Sequence, residues 1–457
     1  MNIYLLFYTF LSGITFLSGL LFFKNKNNSI LIFLSLLLLL PTSDQFMFIT
    51  SFNGVYFYDY YFLALIIYCF KRNNLYKLKE IILRNKFIII ISSSLILYYI
   101  SLIIFNSTPI DKYVLRDFRP FLLFASLIIF IKATARVKIQ FHKIFNILTY
   151  LFLIKILFFI TLFILNPIED PYYQSYLYRY RDGTTFLAVI YLIIYLFKKE
   201  DIIKLISKNS THIILLLAIM LVLISNLRIL LPAIIFVYII MHQTNYNNFL
   251  KKILYSIIFI ASFLGYSYIM PKIQYELHGK EKIILRIKNL EDRKLSKARI
   301  NKEKKILKKG YKPQRYNTLF SKVGYQLEAR FFPAKKYINE LTFLNTLFGN
   351  GFAKTFEISA FNYRGLDIRN NKIDSFYITH FIKYGIIGLT LMLLLFQKII
   401  SNYIYNKRLR LSIISFYLIV MLVNSVLYQP GTIVHLTFLN LIMISINQQE
   451  LSKKKLL

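Results

Sequence analysis

The chain has 457 residues, of which 57% are hydrophobic and only 17% are charged, and its mean hydropathy is +0.53. An average soluble domain carries about 25% charged residues, so this composition excludes a soluble enzyme, a disordered chain and a fibrous protein. The net charge of +36 would indicate nucleic-acid binding in a soluble protein. Here most basic residues lie in short loops between apolar runs, which is typical of a polytopic membrane protein without a nucleic-acid partner.

Apolar runs recur along the whole chain, and a helix that crosses a bilayer needs about 20 apolar residues. The sequence therefore predicts an all-α, polytopic integral membrane protein with about 12–14 transmembrane helices. The first run lacks the basic region and small-residue cleavage site of a signal peptide, so it is expected to remain as a span. The expected spans are 3–23, 29–49, 55–70, 87–105, 114–132, 144–165, 184–198, 211–225, 228–242, 251–270, 373–397, 410–428 and 432–447.

Basic loops predict the orientation of these spans, because short cytoplasmic loops are rich in Lys and Arg. They lie at 71–86, 132–143, 198–208 and 398–410, and the C-terminal tail is also basic. The segment 271–372 is then external, where long loops translocate largely regardless of charge. We expect an N-terminal transmembrane bundle (1–270), a large basic extracytoplasmic loop with short helices (271–372) and C-terminal transmembrane helices (373–457).

Within that loop, residues 280–309 alternate Lys and Arg with Ile and Leu at helical spacing. This pattern indicates either a solvated basic helix or a helix that binds anionic headgroups or an acidic polymer. The single cysteine, Cys69, and six scattered histidines predict neither a disulfide within the chain nor a zinc site. Carboxylate ligation of a divalent ion stays open, but no metal site and no cofactor are assigned.

Charged residues beside apolar runs are candidate functional positions, because charge is costly in a bilayer. Arg179 and Arg181 lie among tyrosines at the outer mouth of a span, where the planar guanidinium group matches phosphate oxygens. An interfacial anchor paired with Asp182 is the alternative. Arg228 interrupts the long run 211–242, either as a ligand for an anion or as a snorkelling residue that marks a hairpin.

A second group of candidates precedes the C-terminal spans. Arg330 opens a stretch that predicts a short amphipathic helix over the membrane, and Gly349 and Gly351 predict a tight turn with exposed backbone N–H groups. Asp374 begins the next span, either as part of an ordinary helix N-cap or as a general base for an acceptor hydroxyl.

Three ionisable or polar residues follow Asp374 in the same span. Tyr377 and His380 lie in its first turns, and Lys383 lies about 15 Å into it at 1.5 Å per residue. Such a lysine should face the bundle interior or a wet cavity. Lys155, near the centre of another span, needs an acidic or carbonyl partner for the same reason.

Three short motifs stand in order around these residues: LFGNG at 347–351, DSFY at 374–377 and FIKYGIIGL at 381–389. Together with the preceding long loop, they resemble the C-terminal signature of the O-antigen polymerase and O-antigen ligase superfamily. Arg228, Arg330 and the Arg181 loop fall where that family places its external arginines. The resemblance covers residues 175–400.

Members of that superfamily act on sugars linked to undecaprenyl pyrophosphate at the outer face of the cytoplasmic membrane. The polymerase branch joins oligosaccharide repeat units, and the ligase branch moves a finished glycan to lipid A core. Ligases typically carry a His-Asn pair where this chain has Ile373 and Asp374, which favours the polymerase. The resemblance implies a multi-pass, metal-independent glycosyltransferase of the bacterial inner membrane. Its implied partners are undecaprenyl-pyrophosphate-linked oligosaccharides, membrane lipid and a chain-length regulator protein.

The resemblance also gives the candidate residues a chemical role. Breaking the bond between sugar and pyrophosphate releases a polyanion, which external arginines could hold and stabilise. Asp374 would orient or deprotonate the attacking hydroxyl. The catalytic candidates are therefore Asp374, Arg228 and Arg330, and the substrate-binding candidates are Arg179, Arg181, Lys383, Tyr377 and His380.

Other classes stay open beside the polymerase. The ligase is one, and a lipid-linked oligosaccharide flippase is another, although flippases usually lack a hundred-residue external loop. A polyprenyl-phosphate glycosyltransferase would carry an acidic pair in the first external loop, and the stretch 50–55 has none.

Overall fold

The structure is a computed structural model, and its helices form where the apolar runs lie. It describes residues 3–23, 30–39, 51–52, 55–70, 83, 86–105, 114, 117, 141–165, 183–241, 246–292, 301, 334–351, 354–357, 369–370, 373, 375–401, 404, 406–424, 426–428, 432, 434–436 and 438–443. The fold of this part is all-α, as expected, apart from two hairpins of two-residue strands.

The helices are listed here in chain order. The first six are α1 (Ile3–Phe23), α2 (Ile30–Leu38), α3 (Asp59–Phe70), α4 (Lys86–Phe105), α5 (Phe141–Leu165) and α6 (Gly183–Ile206). The others are α7 (Lys208–Ser225), α8 (Leu230–Phe236), α9 (Tyr246–Asp292), α10 (Phe343–Phe348), α11 (Phe376–Ser401) and α12 (Lys407–Met421). Strands β1 (Ser51–Phe52) and β2 (Val55–Tyr56) pair antiparallel, as do β3 (Phe356–Glu357) and β4 (Arg369–Asn370).

Several of these helices are suited to a bilayer. Among the described residues, five stretches are long and apolar enough to cross a membrane: Leu5–Phe22, Lys143–Thr161, Lys208–Ser225, Asn248–Met270 and Phe376–Ser401. Shorter apolar helical stretches lie at Asp59–Tyr68, Ile89–Phe105, Leu230–Met241 and Val434–Met443. Many large apolar side chains on the outer helix faces are exposed, which is consistent with a membrane protein. The larger span count stays a prediction.

The basic segment expected as the loop 198–208 is mostly helical. Helix α6 continues through it to Ile206, with a kink at Lys198 where φ is −132°. The chain breaks instead at Ser207, whose φ is 104° and whose Oγ accepts a hydrogen bond from the Ser210 amide at 3.3 Å. The expected loop was too long because the Lys, Glu and Leu residues of 199–206 are good helix formers. An ion pair between Lys198 and Asp201 at 3.3 Å also joins positions three residues apart.

The break expected near 225–228 is confirmed. Helix α7 ends at Ser225, and Asn226 takes the left-handed conformation with a φ of 48° that ends many helices. Leu227 and Arg228 form the turn, and α8 begins at Leu230 and continues into a π-helical turn, Val237–Met241. The run 211–242 is therefore two short helices rather than one long span.

Helix α9 continues from the apolar stretch Asn248–Met270 into the long basic segment without interruption. It has 47 residues and is therefore about 70 Å long at 1.5 Å per residue. The helical expectation for 280–309 is confirmed as far as Asp292. The expected boundary between residues 270 and 271 lies inside this helix, whereas the division into three domains stays a prediction.

Two apolar clusters organise the molecule. The larger one joins buried side chains of α1 to α8, α11, α12 and residues 434–443 into one core. The smaller one consists of Ala334, Tyr337, Phe356, Ile373 and Ile382, with Ile378 and Phe381 packed against it. Because Ile382 belongs to α11 and Tyr337 and Phe356 belong to the segment before it, the smaller cluster fastens that segment to the start of α11.

Candidate functional site

Helix α11 is broken at Gly385, where φ is 63° and ψ is −171°. We call the part before the break, Phe376–Tyr384, the half-helix. In a continuous helix the carbonyls of Ile382 and Lys383 would accept hydrogen bonds from amides four residues later. Here they accept instead from the amides of Asn350, at 2.9 Å, and Gly351, at 2.8 Å. The break therefore leaves two backbone carbonyls available, and amides of a distant segment donate hydrogen bonds to them.

The LFGNG motif forms the tight turn that the sequence predicts, and the turn docks on this break. Gly349 and Gly351 have positive φ values of 83° and 87°, which glycine adopts without steric cost. Gly349 also ends α10, and its amide bonds the carbonyl of Asn345 at 2.7 Å. The expectation that the turn exposes its N–H groups is wrong, because these amides are used within the chain.

Tyr98 of α4 also contacts the junction between the LFGNG turn and the half-helix. Its hydroxyl lies 2.9 Å from the carbonyl oxygen of Tyr384 and 2.5 Å from that of Phe348. A phenol has one proton, so the group donates to one carbonyl at a time or is shared between the two. Tyr98 thus links α4, the half-helix and the LFGNG turn.

Polar side chains fix the half-helix to other elements. The hydroxyl of Tyr377 donates to the carbonyl of Leu418 in α12 at 3.0 Å. Thr379 Oγ1 accepts from the amide of Ile373 and donates to its carbonyl, both at 2.9 Å. Ser375 Oγ, just before the helix, accepts from the amide of Ile378 at 3.5 Å, which is the N-cap position.

Lys383 is buried, as the sequence predicts, and forms an ion pair with Asp117. Its Nζ donates to Asp117 Oδ2 at 2.5 Å, and both side chains are 0% exposed. The ammonium group also lies 5.8 Å from the centre of the Phe356 ring, within range of a cation–π interaction. The pair therefore joins α11 to residue 117 of the N-terminal half, beside the ring of Phe356.

The sequence did not single out Asp117. It stands at the start of the expected span 114–132, between Arg116 and Arg119. With these two basic neighbours, Asp117 indicates only a charged helix end. An acidic residue at the edge of an apolar run is the signal that could have identified it.

His380 is fully buried among aromatic rings. Its Nε2 lies 3.0 Å from the hydroxyl of Tyr99 in α4. Its ring stacks on Phe376 with centroids 4.9 Å apart and contacts Tyr384 at 4.6 Å. Tyr99 and Tyr384 meet edge to face at 4.6 Å, a geometry that aromatic pairs favour. His380 and Tyr377 therefore both contact other elements of the described chain.

The segment before α11 is held on the half-helix by aromatic contacts. Residues 334–339 are helical, which confirms this part of the expected amphipathic helix. Tyr337 meets Phe356 edge to face at 5.1 Å, and Lys354 lies 5.5 Å over the Tyr337 ring. Phe356 begins the β3–β4 hairpin, in which it pairs with Asn370. This arrangement places the hairpin over Lys383.

Arg228 is exposed in the turn between α7 and α8. That turn is fastened by Asn226, whose Oδ1 accepts from Ser267 Oγ of α9 at 2.6 Å. The half-helix contacts α4 through His380 and α12 through Tyr377, and α8, which follows the turn of Arg228, also packs on α12. The helices at the two candidate positions therefore share α12 as a neighbour. Lys155 is buried in α5, and the acidic or carbonyl partner expected for it stays a prediction.

The remaining candidates, Arg179, Arg181, Arg330 and Asp374, lie outside the described residues, and their roles stay predictions. Ile373 and Ser375, which flank Asp374, are both buried. In the described part of the chain, no three His, Cys, Asp or Glu side chains come together as metal ligands.

Residues 314–455 match the model of a family of unknown function (DUF6369). The match includes the LFGNG turn, the half-helix and the C-terminal helices, but neither Tyr98 nor Asp117. No curated protein and no solved structure gives a significant match to the chain.

Proposed function

We propose that this protein polymerises undecaprenyl-pyrophosphate-linked oligosaccharide repeat units into O-antigen or a related surface polysaccharide. The reaction would take place at the outer face of the bacterial inner membrane. One observation supports this proposal most: the LFGNG and FIKYGIIGL motifs interlock at Gly349 and Gly385. The resemblance rests on both motifs, and their contact indicates that they serve one site.

The proposed reaction transfers a glycan from a pyrophosphate oxygen of the donor to a hydroxyl oxygen of the acceptor. A hydroxyl of the acceptor repeat unit attacks the anomeric carbon of the donor, and the bond from that carbon to the pyrophosphate oxygen breaks. Asp374 takes the hydroxyl proton, and undecaprenyl pyrophosphate leaves as the anion. Arg228, Arg330 and the Arg179–Arg181 pair would hold that anion, so no metal is required.

The two residues that flank the proposed base are fixed in the structure. Asp374 stands between Ile373 and Ser375, which are both bonded to the half-helix. Ser375 occupies the N-cap position, so the helix is capped without Asp374. A reacting carboxylate must be held to within about 0.5 Å of its productive position, and packed regular structure achieves this better than a loop.

Lys383, Tyr377 and His380 take a supporting part in this proposal. Each contacts another element, and Lys383 and His380 are fully buried. A direct contact between Lys383 and substrate would require its ion pair with Asp117 to open. We therefore propose that these residues act on the reaction by holding the half-helix.

The test is a glycolipid gel from cells that lack this protein. The cells are complemented with wild type, with Arg228→Ala, or with Arg408→Ala as a matched control at an exposed arginine of α12. We expect wild type and Arg408→Ala to give a long ladder. Cells without the protein, and those with Arg228→Ala at equal protein level, should give one repeat unit on the final acceptor.

The other outcomes separate the alternatives. Long polymer that stays on the lipid carrier in cells without the protein would indicate a ligase. Absence of any exported glycan in those cells would indicate a flippase. An unchanged profile would overturn the proposal, and a full ladder with Arg228→Ala would remove the pyrophosphate role of Arg228.

A further inference from the structure

The stretch between Glu340 and Lys354 carries no charge and is too short to cross a membrane. It consists of the residues LTFLNTLFGNGFA, 341–353, and contains both α10 and the LFGNG turn. An apolar stretch of about 10–14 residues is more often a buried core helix, an interfacial helix or a re-entrant segment than a span. The exposure of α10 and its depth distinguish these possibilities.

The apolar side chains of α10 are exposed. Phe343 is 77% exposed, Leu344 is 65% exposed and Phe348 is 42% exposed, and no residue of α10 is buried. Leu344 and Phe348 are four residues apart and therefore lie on one helix face. A core helix is thus excluded, and so many large apolar side chains on one short helix indicate an interaction surface.

The contacts between α4 and α11 show that these two helices run antiparallel. Tyr99, near the end of α4, lies 3.0 Å from His380, near the start of α11. At the opposite ends, Lys398 Nζ lies 4.7 Å from the centre of the Phe87 ring. The end of α4 and the start of α11 therefore lie on the same side of the protein.

The LFGNG turn docks well below these two helix ends. Tyr98, whose hydroxyl contacts the Phe348 carbonyl, is seven residues before the end of α4 and therefore about 10 Å from it at 1.5 Å per residue. The break at Gly385 is nine residues after the start of α11, which gives about 14 Å by the same rise. The two helices thus place the turn at a similar depth.

This depth lies within the part of the protein that a bilayer covers. Residues 386–401, the part of α11 after the break, are sixteen in number and fall short of the roughly 17–25 that a span needs. The half-helix must therefore be part of the span Phe376–Ser401. Tyr98 likewise lies near the middle of the apolar stretch Ile89–Phe105, and its neighbour Leu97 is exposed.

The hydrogen bonds of the turn meet the condition that a bilayer imposes. Backbone that is not helical is tolerated at membrane depth only where the protein itself satisfies its polar groups. The amides of Gly349, Asn350 and Gly351 all donate to backbone carbonyls within the chain. The carbonyl of Phe348 lies 2.5 Å from the Tyr98 hydroxyl. These groups of the turn therefore do not depend on water.

We propose that residues 341–351 form a re-entrant segment, which enters the bilayer beside α4 and α11 and turns at Gly349. Its exposed side chains, Phe343, Leu344 and Phe348, contact the hydrocarbon chains of the bilayer lipids. Lipid is the occupant because the neighbouring apolar faces at this depth, at Leu97 of α4 and Ile386 of α11, are exposed as well.

This inference goes beyond the proposed polymerase function and does not depend on it. It holds whichever side of the membrane the segment enters from, since the depth is measured from helix ends that lie together. It moves the LFGNG turn out of the expected extracytoplasmic loop 271–372 and into the membrane. Glu340 and Lys354 then mark the two places where the chain crosses the membrane surface, because charge is costly in hydrocarbon.

The chain contains no tryptophan, so a single introduced tryptophan reports only its own surroundings. Full-length protein with Phe343→Trp is reconstituted in phosphatidylcholine vesicles, with or without bromine on the acyl chains. Brominated chains quench tryptophan in hydrocarbon, and acrylamide quenches tryptophan in water. Leu97→Trp, at an exposed position of α4, is the control for hydrocarbon, and Lys335→Trp, at an exposed position before the segment, is the control for water.

We expect Phe343→Trp to lose as much fluorescence in brominated vesicles as Leu97→Trp does, and to resist acrylamide to the same degree. Lys335→Trp should show the reverse pattern. Leu344→Trp repeats the measurement at the neighbouring position and replaces Phe343→Trp if that variant does not fold. Both side chains are mostly exposed, so either position has room for the larger ring.

Two results would overturn the proposal. Quenching of Phe343→Trp by acrylamide as strong as that of Lys335→Trp would place α10 in water. Quenching by neither agent would show that protein, either a second copy of this chain or another partner, covers these side chains. The fluorescence does not depend on activity, so the glycolipid gel tests the polymerase proposal independently.

Discussion

Gly349 and Gly385 are reciprocal: each lies against the backbone that precedes the other. A Cβ atom on Gly349 would overlap the carbonyl of Lys383, and one on Gly385 would overlap the carbonyl of Leu347. Both glycines also have positive φ values, 83° and 63°. The turn and the broken helix can therefore approach this closely only if both positions lack a side chain.

Alanine at either glycine should separate the turn from the half-helix. With ψ values of 176° and −171°, both glycines lie in a region that is essentially restricted to glycine. Alanine there costs about 1–3 kcal/mol, and the overlap with backbone adds to this cost. We expect Gly349→Ala and Gly385→Ala to lower the thermal unfolding temperature in detergent and to remove the polysaccharide ladder in cells.

Two other glycines provide matched controls. A Cβ on Gly13 in α1 or on Gly265 in α9 would meet nothing within 4 Å. Alanine in a helix is about 0.5–1 kcal/mol more favourable than glycine, so Gly13→Ala and Gly265→Ala should unfold at or slightly above the wild-type temperature. If Gly385→Ala behaves like these controls, the close contact between Gly349 and Gly385 does not hold the LFGNG turn on the half-helix.

Removal of the Tyr98 hydroxyl should weaken the contact between α4, the half-helix and the LFGNG turn without changing the packing of the ring. Tyr98→Phe leaves the carbonyls of Tyr384 and Phe348 without this donor, and the loss of a hydrogen bond costs about 0.5–1.5 kcal/mol. We expect a lower unfolding temperature and a shorter ladder. Tyr150→Phe is the control, because Tyr150 is 61% exposed on α5. Equal behaviour of the two variants would show that the Tyr98 hydroxyl is dispensable.

Much of the fold could be predicted from local pattern, whereas the site could not. Long apolar runs gave the positions of most helices, and Asn226 and Arg228 marked the true break between α7 and α8. Gly385 gave no comparable signal, because glycine inside an apolar helix is common and the break depends on the docked turn. The pairing of Lys383 with Asp117 joins residues 266 positions apart, which one sequence does not reveal.

The topology prediction can be checked separately from the chemistry. After replacement of Cys69, single cysteines are introduced by Ser296→Cys and Asn74→Cys. These positions lie in segments expected on opposite sides of the membrane. An impermeant thiol reagent applied to intact cells should label position 296 and not position 74. The reverse pattern would put the long basic segment in the cytoplasm and contradict the proposed external site.

Thr379 provides the most direct test of whether the start of the half-helix governs activity. Its hydroxyl bonds both the amide and the carbonyl of Ile373, the residue next to Asp374. Thr379→Val keeps the shape but leaves those buried groups without this partner, at a cost of about 1–3 kcal/mol. We expect a lower unfolding temperature and loss of the long ladder, because Ile373, the residue before the proposed base Asp374, is no longer fixed.

Serine at the same position separates the hydroxyl from the methyl group. Thr379→Ser retains the hydroxyl and should keep both bonds to Ile373, with only a small loss of packing. We therefore expect Thr379→Ser to restore the ladder that Thr379→Val loses, at equal protein level on an immunoblot. A full ladder from Thr379→Val would show that the contact with Ile373 does not control the direction of Asp374, and the proposed base would then have to be held by another contact.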